Sequence, residues 1–231
     1  MKKILLILLV TFATASFAAT LDTSISDNAI VGKKKVVIGV SEVDAEIWVN
    51  GRMIAKGNTE IKVVKGACVN ISIRKIGYLE EKLEICNVKT TIWEKQKYFE
   101  MKRDDSYDAS VQTDIANVDI ELVVNTMDKD TAWKLINQIV LNYIDVIEMT
   151  DKETGYLRTS WSLKTFKQNT IRTRIIVKES SSDPLVFKAK LVSEASGRAL
   201  TSVKSDELYK VWDRVLRSYS DVISEFQARL K

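Results

Sequence analysis

From Val36 onward the chain is written in short apolar and alternating runs. Val36-Val37-Ile38-Gly39-Val40 reads as one strand. Ala45-Glu46-Ile47-Trp48-Val49 alternates and meets Asn50-Gly51, the strongest short hairpin signal a sequence carries. Ile61 to Val64 is a further strand, ended by Lys65-Gly66. Val69-Asn70-Ile71-Ser72-Ile73 alternates strictly, turns at Gly77 and returns through Leu79 to Ile85. A last strand of this group is expected around Lys97 to Met101. Residues 103–116 carry Asp104, Asp105, Ser106, Asp108, Ser110 and Asp114, and read as a linker.

The pattern then changes. Val118, Ile120, Leu122 and Val124 alternate with Asp119 and Glu121, as a half-buried strand does. Asp128 or Asp130 caps a helix with the stripe Ala132, Trp133, Ile136, Ile139, Val140 and Tyr143. Strands are expected at Ile144 to Met149, Leu157 to Leu163, Thr170 to Val177 and Leu185 to Val192, the first two joined by a hairpin loop from Asp151 to Gly155. From Ser205 or Asp206 a stripe of Leu208, Val211, Trp212, Val215, Tyr219, Val222, Ile223, Phe226 and Leu230 predicts one long helix of about six turns. A sheet with one apolar face and two amphipathic helices is expected to put both helices on that face.

The hairpin around Gly77 fixes its own register. Setting Val69 against Ile85 and Ile71 against Leu83 leaves Asn70 opposite Glu84, Ser72 opposite Lys82 and Arg74 opposite Glu80. Apolar meets apolar and Arg meets Glu, a match that a one-residue slip destroys. The same register sets Cys68 against Cys86, the only two cysteines, so a disulfide is expected. The alternative is two free thiols packed as small hydrophobes, since directly opposed strand residues suit a disulfide only at some ladder positions.

The first group of strands resembles the PEGA domain, a small β-sandwich module of surface and envelope proteins. The residues that carry this are Val43-Asp44-Ala45-Glu46-Ile47-Trp48-Val49-Asn50-Gly51, then Gly57-Asn58-Thr59, Lys65-Gly66-Ala67 and Gly77-Tyr78. The prolines usual in that pattern are missing here. The resemblance covers about residues 36–88 and implies an interaction or spacer role, with no catalytic residue. The second group is similar in order to TBP-like or helix-grip folds. Asp151 to Gly155 leading into Leu157-Arg158-Thr159-Ser160-Trp161 resembles the C-terminal modules of the lipoprotein C subunit of the outer-membrane protein assembly machine. The expected architecture is therefore α+β: a signal peptide (1–18), a lead-in (19–34), a PEGA-like β-sandwich (35–102), a linker (103–116) and a β-α-β4-α helix-grip-like domain (117–231).

The signal peptide rests on a basic start at Lys2-Lys3, an apolar run from Ile4 to Val10, and Ser16-Phe17-Ala18 with small residues where a signal peptidase reads. A membrane anchor is the alternative, but the apolar run is short of the roughly 20 residues a span needs and turns polar from Thr20. The expected location is periplasmic or secreted, with no transmembrane segment in the mature chain. Disulfides belong to such oxidising compartments.

Composition adds exclusions. The chain has 231 residues, of which 45% are hydrophobic, enough for one large or two small cores. Loss of Lys2 and Lys3 lowers the net charge from +4 to about +2, which makes no case for nucleic acid. Histidine is absent, which excludes His-based triads, His metal ligands and imidazole acid–base pairs. No GxGxxG or GxxxxGK[ST] phosphate loop occurs. Ser160 and Ser162 near Lys164 are alternate positions on a strand and require no chemistry. Asp128-Lys129-Asp130 and the Asp104 to Asp114 cluster lack the spacing of a Ca²⁺ loop. No catalytic residue, metal or cofactor is expected.

Two surfaces remain as binding candidates. Arg158, Arg172, Arg174, Lys178, Lys188 and Lys190 fall on outward strand positions, a cationic face suited to an anionic partner or to simple solubility. Trp133, Trp161, Trp212, Tyr219 and Phe226 would line a cavity between sheet and terminal helix, or else close a core there. Leu208, Trp212, Val215, Tyr219, Val222 and Phe226 also form a heptad-like seam that intrachain packing explains as well as a dimer does. The function these features imply is a non-enzymatic envelope protein that binds an envelope protein or an anionic envelope polymer. The alternatives are a carrier of a lipid or other hydrophobic ligand, and a carboxylate-based hydrolase of an envelope glycan.

Overall fold

The computed structural model describes residues 32–231, so the expected signal peptide and most of the lead-in lie outside the described residues. The protein is mixed α+β and strand-rich, with two separate apolar cores. Among the described residues no helix is long and apolar enough to cross a membrane.

The first core is built by β1 (Lys33–Val40), β2 (Glu46–Val49), β3 (Arg52–Lys56), β4 (Asn58–Val64), β5 (Cys68–Arg74), β6 (Glu81–Cys86) and β7 (Gln96–Phe99). They form one sheet in the order β4-β1-β7 and another in the order β3-β2-β5-β6. Strand period two aims Val36, Ile38 and Val40 of β1 at Ile47, Ile71 and Ile73 of the other sheet, and all six are buried. Asn50 and Gly51 both have positive φ, the type I′ geometry that suits the twist of the β2–β3 hairpin. The β5–β6 register is the one the side chains dictate: Val69 faces Ile85, Ile71 faces Leu83 and Cys68 faces Cys86. Cys68 and Cys86 are disulfide-bonded. Arg74 Nε donates to Glu80 Oε1 at 2.6 Å, as the same register requires.

The segment expected to be a linker is folded. It holds a short helix, α1 (Asp105–Asp108), and β8 (Ser110–Gln112). Asp104 caps α1 by accepting from the backbone N–H groups of Ser106 and Tyr107. The acidic residues that suggested a loose linker are thus partly cap and partly ion pair, Asp108 taking Arg103.

The second core lies between one face of an antiparallel sheet and two helices. After β9 (Asp119–Val123) comes α2 (Lys129–Tyr143), capped by Asp128, whose carboxylate accepts from Thr131 N–H at 2.9 Å. Then follow β10 (Ile147–Asp151), β11 (Tyr156–Thr159), β12 (Ser162–Thr165), β13 (Thr170–Ser182) and β14 (Leu185–Ala195). The sheet runs β10-β11-β13-β14, with β9 and β15 (Lys210–Val211) both on β14, and β12 on β13. Leu157, Ile171, Ile175, Phe187 and Leu191 bury themselves against Trp133, Ile136 and Ile139 of α2 and against Phe226 of α3 (Val222–Arg229).

The long terminal helix does not form. Residues 205–231 make a 3-10 turn at Asp206–Leu208, then β15, β16 (Arg214–Leu216), a second 3-10 turn at Arg217–Tyr219, and only then the two turns of α3. Backbone partners outside the segment outcompete helical periodicity: β15 pairs with the end of the preceding strand β14, and β16 pairs with the distant β8.

A second departure matters more for the surface. The expected strand Leu157 to Leu163 is interrupted at Ser160-Trp161 and resumes one residue out of phase. Thr159 Oγ1 accepts from Ile175 N–H in the gap. After the break Leu163 lies opposite Arg172 on the outer face, and Ser162 turns inward to accept from Tyr219 Oη at 2.8 Å.

Candidate functional site: the open face of the second sheet

The helices occupy one face of this sheet and leave the other free of helix, with Val203, Asp206 and Tyr209 covering Arg172 at its upper end. Pleat alternation puts Arg172, Arg174, Ile176 and Lys178 of β13 on the open face, beside Lys188, Lys190, Val192 and Glu194 of β14 and Arg158 of β11. All six basic residues singled out by the sequence therefore share it. They do not act as one cationic field.

The lower half is neutralised by β9. Lys178 Nζ donates to Asp119 Oδ2 at 2.8 Å, Lys190 lies 3.3 Å from Asp119 Oδ1, and Lys188 lies 3.4 Å from Glu121. Lys178, followed by Lys190, holds the Asp119 carboxyl below its ordinary range. The acids were visible as outward positions of β9. What could not be read was that β9 pairs with β14, which sets them beside these lysines.

The upper half is a stack of alternating aromatic rings and guanidinium groups. Arg172 lies 4.1 Å over the Tyr209 ring and 4.2 Å over the Trp161 ring. Arg174 lies 4.0 Å over Trp161. Trp161 is thus on the open face, between two arginines, and not between sheet and helix. The phase break puts it there, and no Gly or Pro in Thr159-Ser160-Trp161-Ser162 announces that break. Each such contact contributes about 0.5–2 kcal/mol depending on desolvation.

The three arginines differ sharply in their partners. Arg172 is 4% exposed. Its Nε donates to Glu194 at 2.7 Å, and its Nη1 donates to Asp206 at 2.5 Å and to Val203 O at 2.8 Å. Burial works against its charge, but Asp206 and Glu194 outweigh it and hold the pKa above the ordinary value. Arg158 Nε lies 3.2 Å from Glu148 Oε2, too oblique for a hydrogen bond. Arg174 has no hydrogen bond and no acidic partner among the described residues, and its Nε is buried. Burial first, and then the charge of Arg158, push the Arg174 guanidinium below its usual range. Apolar side chains rim the pair. Met149 pairs with Arg158, Leu163 with Arg172 and Val211 with Glu194, and these three are 49%, 41% and 73% exposed.

The other proposed surface is distributed differently. Trp133, Tyr219 and Phe226 are 7%, 8% and 0% exposed and lie in the closed second core, while Trp212 packs at its edge. Trp212 and Tyr219 belong to irregular chain and a 3-10 turn, so neither the continuous helix nor a heptad seam presents them.

The first half of the chain has a cleft of about 550 Å³ lined by Asp44, Lys56, Arg74, Lys75, Ile76 and Tyr78. Several of its charges are already engaged. Lys75 Nζ donates to Asp44 at 2.6 Å and to Glu42 at 2.5 Å, and these bonds, Asp44's first, raise its pKa well above the ordinary lysine value. Arg74 is held by Glu80. Arg174, by contrast, is a half-buried cation whose neighbouring acids, Glu194 and Glu148, are both taken by other arginines. No protein-family model matches the chain, and no curated protein matches it.

Proposed function

We propose that this protein is a non-enzymatic component of the cell envelope that works by binding another envelope protein on the open face of its second sheet. The observation that carries this reading is Arg174. A half-buried guanidinium with no hydrogen-bond partner among the described residues is costly in isolation, and an anion bound at its accessible Nη atoms offsets that cost. Exposed Met149, Leu163 and Val211 around it give apolar area of the kind a protein partner covers. The resemblance of residues 36–88 to the PEGA domain supports an envelope setting in which the first half is a spacer or a second contact module. The leader-like residues 1–18 and the Cys68–Cys86 disulfide are compatible with export into an oxidising compartment. The absence of histidine removes the commonest general base and supports binding over catalysis.

A photo-reactive amino acid at Met149 or Leu163, activated in intact native cells, tests the surface. One defined protein adduct from both positions is expected, with none from Leu141 on the exposed side of α2. Equal labelling from Leu141, or no adduct from the sheet face, overturns the proposal.

A further inference from the structure

Resting on the reading of this face as a partner surface, we propose that Arg174, over the Trp161 indole, and the neighbouring Arg158 form a carboxylate-binding subsite that receives an acidic side chain flanked by apolar residues on the partner protein. Three observations converge on it. First, the cation is built into place. Trp161 fixes one face of the Arg174 guanidinium at 4.0 Å, and a planar group held on a ring has little rotamer freedom left to lose. Its Nη groups, which unlike Nε are not buried, remain free among the described residues, because the two acids nearest to it are engaged elsewhere: Glu194 with Arg172 and Glu148 with Arg158. A fork of free N–H donors matches the two oxygens of a carboxylate.

Second, Arg158 is close enough to lower the Arg174 pKa by repulsion. Two like charges whose only nearby acids among the described residues are Glu148 and the already paired Glu194 are relieved by an added anion. Glu148 is itself half exposed and holds Arg158 only obliquely, so Arg158 can turn to share the incoming group. Third, the rim selects the setting of that anion. Leu163 and Met149 stand on the same face as the two arginines, and Ile176 and Val192 fill the spaces between them. A strongly hydrated polyanion gains nothing from that rim. A carboxylate whose neighbours are apolar gains burial on both sides of the ion pair.

The test uses the intact purified chain and hexanoate as the probe, with hexanol and inorganic phosphate as controls. Titration is followed by the NMR resonances of the Arg Nε–H and Trp indole N–H groups. Hexanoate is expected to shift the Arg174 and Trp161 signals with a saturable millimolar curve, hexanol to leave them in place, and phosphate to bind at least fivefold more weakly. R174Q is expected to weaken hexanoate at least tenfold and R158Q about threefold, with both variants folded by their amide spectra. Unsaturable shifts spread over surface lysines, or equal binding by R174Q, overturn the subsite. Sedimentation with phosphatidylglycerol vesicles that R174Q abolishes and hexanoate does not compete assigns the face to a lipid headgroup and overturns it as well. Failure here is separable from failure of the surface itself. A crosslink from Leu163 without hexanoate binding keeps the face and removes the subsite, and hexanoate binding without a crosslink does the reverse.

Discussion

Single residues decide several points that no pattern of apolar positions reveals. Gly57 is one. Its φ is +69°, and a Cβ built there would meet the backbone oxygen of Val43 at 2.5 Å. Gly57 N–H also donates to Ala45 O, so the turn cannot move aside without losing a bond. Gly66 has a similar φ of +83° but open space around it. Gly57→Ala is therefore expected to cost about 3 kcal/mol in urea unfolding, and Gly66→Ala only about 1 kcal/mol, the cost of the left-handed conformation alone. Equal losses would mean that the Val43 contact is not tight. Glu179 gives a pH prediction. Its side chain is 10% exposed and takes Lys129 at 2.8 Å, and that bond, followed by the one from Ser182, lowers its pKa from 4.5. A depressed carboxyl contributes stability above its unfolded value and loses it as pH falls through the lower folded value. Glu179→Gln should thus be less stable than the parent by about 1 kcal/mol at pH 7, and the gap should close below pH 4.5. Unfolding midpoints measured from pH 7 downward check this, and a gap that stays constant would remove the ion pair from the account.

At the scale of elements, legibility followed the distance between partners along the chain. The β5–β6 hairpin could be registered from its sequence because Arg74 and Glu80, or Ile71 and Leu83, are near neighbours and each choice constrains the others. The α2 stripe was equally plain, since Trp133, Ile136 and Val140 need only one apolar surface to face. The terminal segment was not. Its spacing fits a helix, yet Arg214 belongs to Ser110 and Tyr107, more than a hundred residues earlier. Its Nε donates to Ser110 Oγ at 2.8 Å, its Nη2 donates to the carbonyls of Ser110 and Tyr107, and its guanidinium lies 3.7 Å over the Tyr107 ring. Asn117 completes the capture by donating to Trp212 O at 2.8 Å. A buried guanidinium with these partners cannot be turned into a helix face without leaving carbonyls and charge unsatisfied. The candidate site failed in the same way: its arginines were legible as outward residues, but Trp161 was misplaced because a one-residue phase break has no local signature. Arg214→Ala is expected to cost about 3 kcal/mol, and Arg214→Lys about 1–2 kcal/mol because the point charge cannot reproduce the fork. Amide exchange at Val111 and Val215 should quicken in both, as β8 and β16 part. Unchanged exchange there would place the strand pairing beyond the reach of Arg214.

For the whole molecule the question is whether the two cores stand or fall together. No buried residue belongs to both. What joins them is the folded segment after β7, where Arg103 lies 5.1 Å over the Tyr78 ring and a Cβ on Gly77 would touch the Tyr107 ring at 3.3 Å. Tyr107 in turn carries Arg214 on its ring. These ring contacts, with two backbone hydrogen bonds, Leu79 N–H to Lys102 O and Asp104 N–H to Gly77 O, are a small bridge compared with either core, and small polar interfaces leave domains to unfold on their own. The disulfide offers a way to load one core alone. It closes a separation of 18 residues at the edge strand of the first core, and cross-links of that span stabilise by about 3 kcal/mol. Cys68→Ser with Cys86→Ser should therefore lower the unfolding free energy of the first core by about 3 kcal/mol and leave the second where it was. Hydrogen exchange separates the two: amides of Ile71 and Ile85 should lose protection by roughly two orders of magnitude, and those of Ile175 and Leu191 should not change. If all four weaken together, the bridge at Tyr107 is stronger than its area suggests, and the molecule is one cooperative unit instead of two. That outcome would also change the site, because the open sheet face would then sense the redox state of a disulfide in the other half of the chain.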